Sequence, residues 1–297
     1  MRSGILLIDK PVGITSAGVV ARVKRALKAD KVGHAGTLDP DATGLLIVLV
    51  NGATKVASYA ADGTKRYSGV IQFGLTTSTD DIGGEVLTRS EYLPEFNEVL
   101  ERSKSFVGSI EQIPPRVSAV KIDGRRAHDR ARKGEDFEIK ARSVEVYRFD
   151  ISPLDPNRVS YVIECSPGTY VRSLARDLGA ALGCGGTVES IRREASGGFN
   201  VGDAVPLEEA SFDTLKDWTL LLPHVRSIRL PRGECESLLN GRQESLRSLR
   251  SHHELGALRS EDLISYGCEG GTEFLGLLKK NSAGEFVIQV NIERSVE

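Results

Sequence analysis

The segment GHAGTLDPDATG, residues 33–44, constrains this chain more than any other. Three glycines and a proline interrupt both helical and strand periodicity, so the segment reads as a loop between regular elements. Within it Asp39 stands between Leu38 and Pro40. The proline fixes its own φ and pushes the residue before it into extended backbone. Gly33, Gly36 and Gly44 permit a tight path and close approach by another group. One carboxylate is thereby held outward at the end of a strand, with room beside it for a large ligand. An Asp-Pro turn with no further role is the alternative, since that dipeptide is common in turns. The loop runs directly into LLIVLV, residues 45–50, a short apolar run that reads as a buried strand.

Around it, GILLID (4–9) reads as a strand and residues 15–28 as a helix. Val19, Val20, Val23 and Leu27 lie near helical spacing there, with Thr15 or Ser16 as N-cap. Residues 52–62 return as a helix and 65–74 as a strand, with Tyr67, Gly69, Ile71 and Phe73 on one face. A turn at 77–84 and a helix at 94–106, starting from Pro94, follow. Further strands are expected at 140–149, 158–165 and 187–200. Residues 166–186 read as a helix with Pro167 near its start and Gly183 at its end. Strands are numerous, helices are scattered among them, and no GxGxxG follows a strand. The class is α+β with a mixed sheet, not a dinucleotide-binding fold. From about residue 227 the texture changes to a small β-rich domain after one short helix.

Composition narrows the chemistry. The longest apolar run is far short of a membrane span, and MRSGILLIDKPVG has too short an apolar core for a secretory signal. A cytoplasmic protein is expected. The four cysteines form no CxxC pair and read as free thiols, and the five histidines form no HExxH. Neither metal nor cofactor is expected. Net charge is −2, yet residues 116–133 hold Arg116, Lys121, Arg125, Arg126, Arg130, Arg132 and Lys133 against only Asp123 and Asp129. Such a patch on a neutral protein suits phosphate contact at one place; a solvated helix face is the alternative.

Two more residues stand out. Arg172 falls in the first turn of the helix, whether Ser166 or Thr169 caps it, and a cation there opposes the macrodipole. A nearby carboxylate reverses that cost, and Asp39 is a candidate; an exposed arginine reaching solvent is the other reading. Tyr67 reads either as core packing with Ile71 and Phe73 or as a platform for a stacked base.

GHAGTLDPDATG resembles the catalytic motif of the TruB family of tRNA pseudouridine synthases. IDKPVGITS (8–16), KRY (65–67), TSTDDIGG (77–84), QIPPRVSAVKIDGRRAHDRARKG (112–134) and GTYVRSLARDLGAALGCGG (168–186) resemble further family segments, in order. The last stretch is similar to a divergent PUA-type RNA-binding domain, chiefly through LLNGR (238–242) and FLGLL (274–278). The resemblance implies the pseudouridine synthase fold, with a mixed, mostly antiparallel central sheet in residues 1–226 and a PUA-like domain in 227–297. It implies isomerisation of uridine 55 in the tRNA T loop, without cofactor, on a base flipped out of its stack. Asp39 would be the essential carboxylate, Tyr67 would stack on the uracil, and Arg172 would pair with Asp39. Lys10 and Asp81 match polar active-site positions, Tyr170 and Ile191 match pocket-lining ones, and His34 would fill space near the extruded base. The basic segment would embrace the T stem-loop. A monomer without membrane or obligatory protein partner is expected.

This sequence departs from the family pattern in places. Asp41 stands where leucine is usual; it would raise the pKa of Asp39 if close, or else point to solvent. Val117 and His128 each replace a usual tyrosine in the RNA-facing segment, and Ile191 replaces leucine. Residues 226–297 carry ten Lys/Arg and eleven Asp/Glu, which weakens their claim to strong phosphate binding. Three rival readings are a non-catalytic tRNA-folding module, a guide-dependent ribosomal RNA synthase and a glycosidase. The last needs two carboxylates flanking the bond, and the motif offers only Asp39 and Asp41 as a close pair.

Overall fold

Burial on both faces decides where the first strands go. β1 (Gly4–Lys10) leads into α1 (Ser16–Leu27), followed by β2 (Val32–Ala35) and β3 (Thr43–Val50). Leu46, Val48 and Val50 of β3 join one core cluster; Leu45, Ile47 and Leu49 join the other. Side chains alternate across a strand, so an unbroken apolar run is what a strand between two layers requires. Thr15 caps α1 by accepting a bond from the Gly18 amide, and Val19, Val23 and Leu27 are its buried stripe. The computed structural model describes residues 2–118, 120–122, 124–242, 249, 258–271 and 274–292, without the side chains of Lys121, Arg126 and His128.

The loop expected at 33–44 is shorter than that. Residues 32–35 pair antiparallel with Val50 to Ile47 of β3, which satisfies their backbone groups and confines the irregular path to residues 36–42. The helix expected at 52–62 is a 3₁₀ turn, Asn51–Val56, followed by a short α2 (Ala57–Ala61). Next come β4 (Lys65–Phe73), β5 (Leu75–Thr77), β6 (Val86–Arg89) and α3 (Phe96–Lys104). A Glu95/Glu98 capping box, not Pro94, starts α3. After β7 (Gly108–Gln112) come the small elements β8 (Lys121–Ile122), β9 (Arg125–Arg126) and α4 (Ala127–Arg132), then β10 (Arg142–Asp155) and β11 (Arg158–Cys165).

α5 (Val171–Ala181) is shorter than the 166–186 helix that the sequence suggests. Residues 166–169 form a turn instead, in which the Thr169 hydroxyl donates to the Ser166 carbonyl. Neither Ser166 nor Thr169 caps the helix. The N-cap is Tyr170, whose backbone is clamped by the side chain of buried Gln112 at the end of β7. β12 (Gly186–Ser196), β13 (Phe199–Asn200) and β14 (Val205–Pro206) complete the large sheet.

That sheet has the order β14-β1-β3-β12-β4-β11-β10-β7, with β2 also on β3 and β13 also on β12. Its pairs are antiparallel except β1 with β14 and β12 with β3, so the expected mixed, mostly antiparallel sheet is present. The free edge of β3 is shared. β2 takes residues 47–50, while β12 takes only Thr43 and Gly44. Residues 36–42 leave the sheet at the join between these two partners.

β15 (Arg226–Leu230), α6 (Arg232–Leu239), β16 (Leu263–Cys268), β17 (Phe274–Lys280) and β18 (Phe286–Asn291) build a separate sheet of order β15-β16-β17-β18. This is the β-rich C-terminal unit expected from the sequence, with a strand ahead of its helix. Leu277 and Ile292 pack with Ile5, Leu7, Ile47 and Trp218, so this unit seats on one face of the large sheet. α1 and α5 cover the other face.

Candidate active site

Residues 36–42 are fastened at several points. The Ser16 hydroxyl donates to the Leu38 carbonyl (3.0 Å) and accepts from the Leu38 amide (2.9 Å). Lys10 Nζ donates to the carbonyls of Pro11, Ile14 and Pro40 at 2.8, 2.7 and 3.1 Å. The Gly13 amide donates to the Pro40 carbonyl as well (2.9 Å). Lys10 is fully buried, and burial pulls its amine down to about 8, opposed by the charges of Asp41 and Asp39. Its donors are therefore spent on backbone carbonyls, two in the 11–14 turn and one in the Asp39 loop, which they tie together.

Between these fastenings the Asp39 side chain stays 42% accessible and ion-pairs with Arg172 at 3.0 Å. Arg172 lies in the first turn of α5, as the sequence suggests. Its guanidinium also donates to Asp81 (3.2 Å), to the Thr79 carbonyl (2.8 Å) and to the Val117 carbonyl (2.9 Å). Two carboxylates thus offset the placement of a cation at a positive helix end. Burial raises the Asp39 pKa; Arg172 opposes the shift, while Asp81 and Asp41 add to it. Asp41 is exposed, yet its charge reaches Asp39, so both readings of this residue hold in part. The Asp81 carboxylate is fixed from its other side by the Thr79 hydroxyl at 2.7 Å.

A cavity of about 250 Å³ opens beside Asp39, lined by Leu38, Tyr67, Tyr170, Arg172 and Ile191 among others. Five sequence-identified residues therefore converge on one space. Tyr67 is a core residue, buried in the main cluster, and it also borders the cavity. Tyr170 is held by Gln112 through its backbone and is covered by the Arg142 guanidinium, 4.7 Å from the ring centre. Lys10, His34 and Asp81 do not line the cavity. Lys10 and Asp81 act on the residues that do, and His34 sits half-buried on β2 opposite Val48.

Two buried cations escaped the sequence reading. Lys65 and Arg193 both line the cavity, and Arg193 is 1% exposed. Arg193 Nε donates to the Leu45 carbonyl (2.7 Å) and its Nη2 to the Gly36 carbonyl (3.0 Å). One side chain thereby ties both ends of the 36–44 segment. It stands directly across from Tyr67 in the β12–β4 pair, and its charge opposes the burial that pushes the Tyr67 hydroxyl up. The available signal was a charge inside a strand with an otherwise ordinary alternation, which is weak without the partner strand.

The basic segment differs from its sequence count. Arg116 pairs with Asp136, while Arg125 and Arg130 pair with Glu135; these acids lie just beyond residue 133. Arg116 and Arg130 also stack on Phe137, at 4.7 and 5.1 Å. Arg132 and Lys133 are exposed. The side chains of Lys121 and Arg126 lie outside the described residues. The segment hangs on α5 through the Arg172–Val117 contact and through Arg176, which donates to the Ile113 carbonyl (2.8 Å).

Comparison with known proteins identifies the family. The family model described as TruB family pseudouridylate synthase (N terminal domain) matches residues 24–171. The tRNA pseudouridylate synthase B C-terminal domain matches residues 172–218. The chain is 47% identical over 224 residues to tRNA pseudouridine synthase B of Cereibacter sphaeroides, covering 75% of this chain and 74% of that one. It is 40% identical over 282 residues to the protein of the same name from a Synechococcus strain, covering 92% of each. Among solved structures it is similar to the crystal structure of a Cbf5-Nop10-Gar1 complex, with TM-score 0.68 and 21% identity, covering 98% of this chain and 85% of that one. That last likeness speaks for the fold.

Proposed function

The chain belongs to the TruB family of pseudouridine synthases, and on that premise we propose that it converts uridine 55 in the T loop of tRNA to pseudouridine. The observation that carries this reading is the Asp39–Arg172 pair at the edge of a cavity walled by two tyrosines. The relatives named tRNA pseudouridine synthase B support tRNA as the substrate class. The division at residues 226/227 belongs to the same proposal.

The reaction breaks the N1–C1′ glycosidic bond, turns the uracil and joins C5 to C1′; the C5 proton is lost and N1 gains one. Atoms balance without an oxidant or reductant. A stacked nucleotide hides its C1′, so the base is flipped into the cavity, with Tyr67 beneath it and Tyr170 and Ile191 beside it. Asp39 serves the reaction as an anion, whether it attacks C1′ or removes a ribose proton. Arg172 keeps that anion charged against the burial that favours its protonated form. Lys10 and Arg193 hold the backbone on either side, so the carboxylate is placed before substrate arrives.

The test is direct. The purified chain alone is incubated with unmodified tRNA transcript and pseudouridine is mapped. Conversion at position 55 is expected, without added metal, guide RNA or partner protein. Modification elsewhere, or only with a guide and partners, overturns the assignment. Release of free uracil marks a glycosidase instead.

A further inference from the structure

α1 carries a charge pattern that the site above does not use. Arg22, Lys24, Arg25, Lys28 and Lys31 are all exposed, and Asp30 is the sole acid among residues 22–31. None of the five cations forms an ion pair among the described residues. Helical spacing places Arg22, Lys24 and Arg25 on the exposed half of α1, away from the buried Val19, Val23 and Leu27, while Lys28 caps the helix and Lys31 follows it. The helix macrodipole accounts for Lys24 and Arg25, which lie in the last turn. It accounts equally for Lys28 at the C-cap, but not for Arg22, or for Lys31 beyond the helix end. On a chain of net charge −2, such a stripe has been concentrated, not inherited from composition.

Position gives the stripe a meaning. The start of α1 is bolted to the Asp39 loop through Ser16 and Leu38. From there the helix runs roughly 18 Å away. α1 and α5 pack on the same face of the sheet, and the 116–137 segment hangs on α5. The 116–137 segment borders the cavity through Ser118, so an RNA seated there comes within reach of two basic surfaces, that segment and α1. The first surface is partly neutralised by Glu135 and Asp136; the second is bare.

We propose that the outer face of α1 is a second RNA-binding surface, which takes the sugar–phosphate backbone of the substrate tRNA outside the T stem-loop. The proposal rests on tRNA being the substrate. The stripe begins more than a turn beyond the loop that holds the reacting nucleotide, so it reaches phosphates distant from that nucleotide.

The experiment uses the full chain with Arg22, Lys24, Lys28 and Lys31 changed together to Gln, assayed with intact tRNA and with an isolated T stem-loop hairpin. Affinity for intact tRNA should fall at least tenfold. The slope of log affinity against log salt should become shallower by about 3, at 0.7–0.9 per lost phosphate contact. Affinity for the hairpin, and its single-turnover rate at saturation, should stay within twofold. That rate also reports folding, and Arg22→Gln/Lys31→Gln serves as a second variant outside the last helical turn. Unchanged affinity for both RNAs overturns the proposal. Equal losses on both RNAs overturn it too, because the stripe then serves the stem-loop itself. Failure of the unaltered protein to modify either RNA would instead sink the functional reading on which the proposal rests.

Discussion

Arg193 and Tyr67 stand directly opposite each other on β12 and β4, and both border the cavity beside Asp39. Arg193 also counters the burial that pushes the Tyr67 hydroxyl up. Tyr67→Phe should therefore keep the stacking face and slow the chemical step, whereas Tyr67→Ala should also weaken RNA binding, by ~1–3 kcal/mol. If Arg193 acts through the hydroxyl, Arg193→Lys should cost at least tenfold in single-turnover rate, but less than twofold in the Tyr67→Phe background. Losses that simply multiply would show that Arg193 serves only the backbone carbonyls.

Asp39→Asn should abolish pseudouridine formation and leave tRNA affinity within a few-fold, since binding comes from phosphate and stacking contacts. Its effect on stability has a sign. The folded-state pKa of Asp39 is raised, so the folded protein disfavours the anion relative to the unfolded chain. The stabilising share of Asp39 is present at low pH and lost as pH rises through the raised pKa. Arg172 keeps Asp81 as a counter-charge in the variant. Thermal melts should then show Asp39→Asn at least as stable as wild type at pH 7.5, with the comparison shifting toward wild type near pH 4. A large destabilisation at pH 7.5 contradicts this.

Lys10 gives a second pH dependence of the same origin, burial, and of opposite sign. Its amine is lowered from 10.5 to about 8 by burial, so between those values the unfolded chain holds a proton that the folded protein has released. Stability contributed by Lys10 consequently rises with pH across that window. Denaturant unfolding of wild type and Lys10→Met at several values from pH 7.5 to 10.5 should show the gap moving in favour of wild type as pH increases. A gap that stays flat rules out the lowered amine.

Gly44 is the residue that lets β12 reach β3. It has φ +97°, and a Cβ there would meet the Arg193 carbonyl oxygen at 2.3 Å. Gly44→Ala carries both left-handed strain and a backbone clash, and should cost ~2 kcal/mol or more of unfolding free energy. Asp39 would lose its setting in the same step. Melting within two degrees of wild type would mean that the strands separate without cost.

Much of this molecule is local and was legible as such. Val19, Val23 and Leu27 at helical spacing, and the apolar run at 45–50, each report one burial pattern. The LDPDATG stretch marks its own backbone through glycine and proline. Arg172 showed itself through a charge at the wrong end of a helix, a conflict that the carboxylates of Asp39 and Asp81 resolve.

What the tertiary structure decided is where distant groups meet. Gly33 and His34 became a strand because β3 offered them an edge, which their own composition does not disclose. The start of α5 moved to Val171 because Gln112, 58 residues earlier, supplies the partners for the Tyr170 backbone. Glu135 and Asp136 partly neutralise a basic run that looks bare when it is counted along the chain. Arg193 entered the site through the register of two strands. Helical and strand periodicity act over a few residues and are written in order along the sequence. Ion pairing, desolvation and close backbone approach depend on distance in space, which exists only once the chain has folded.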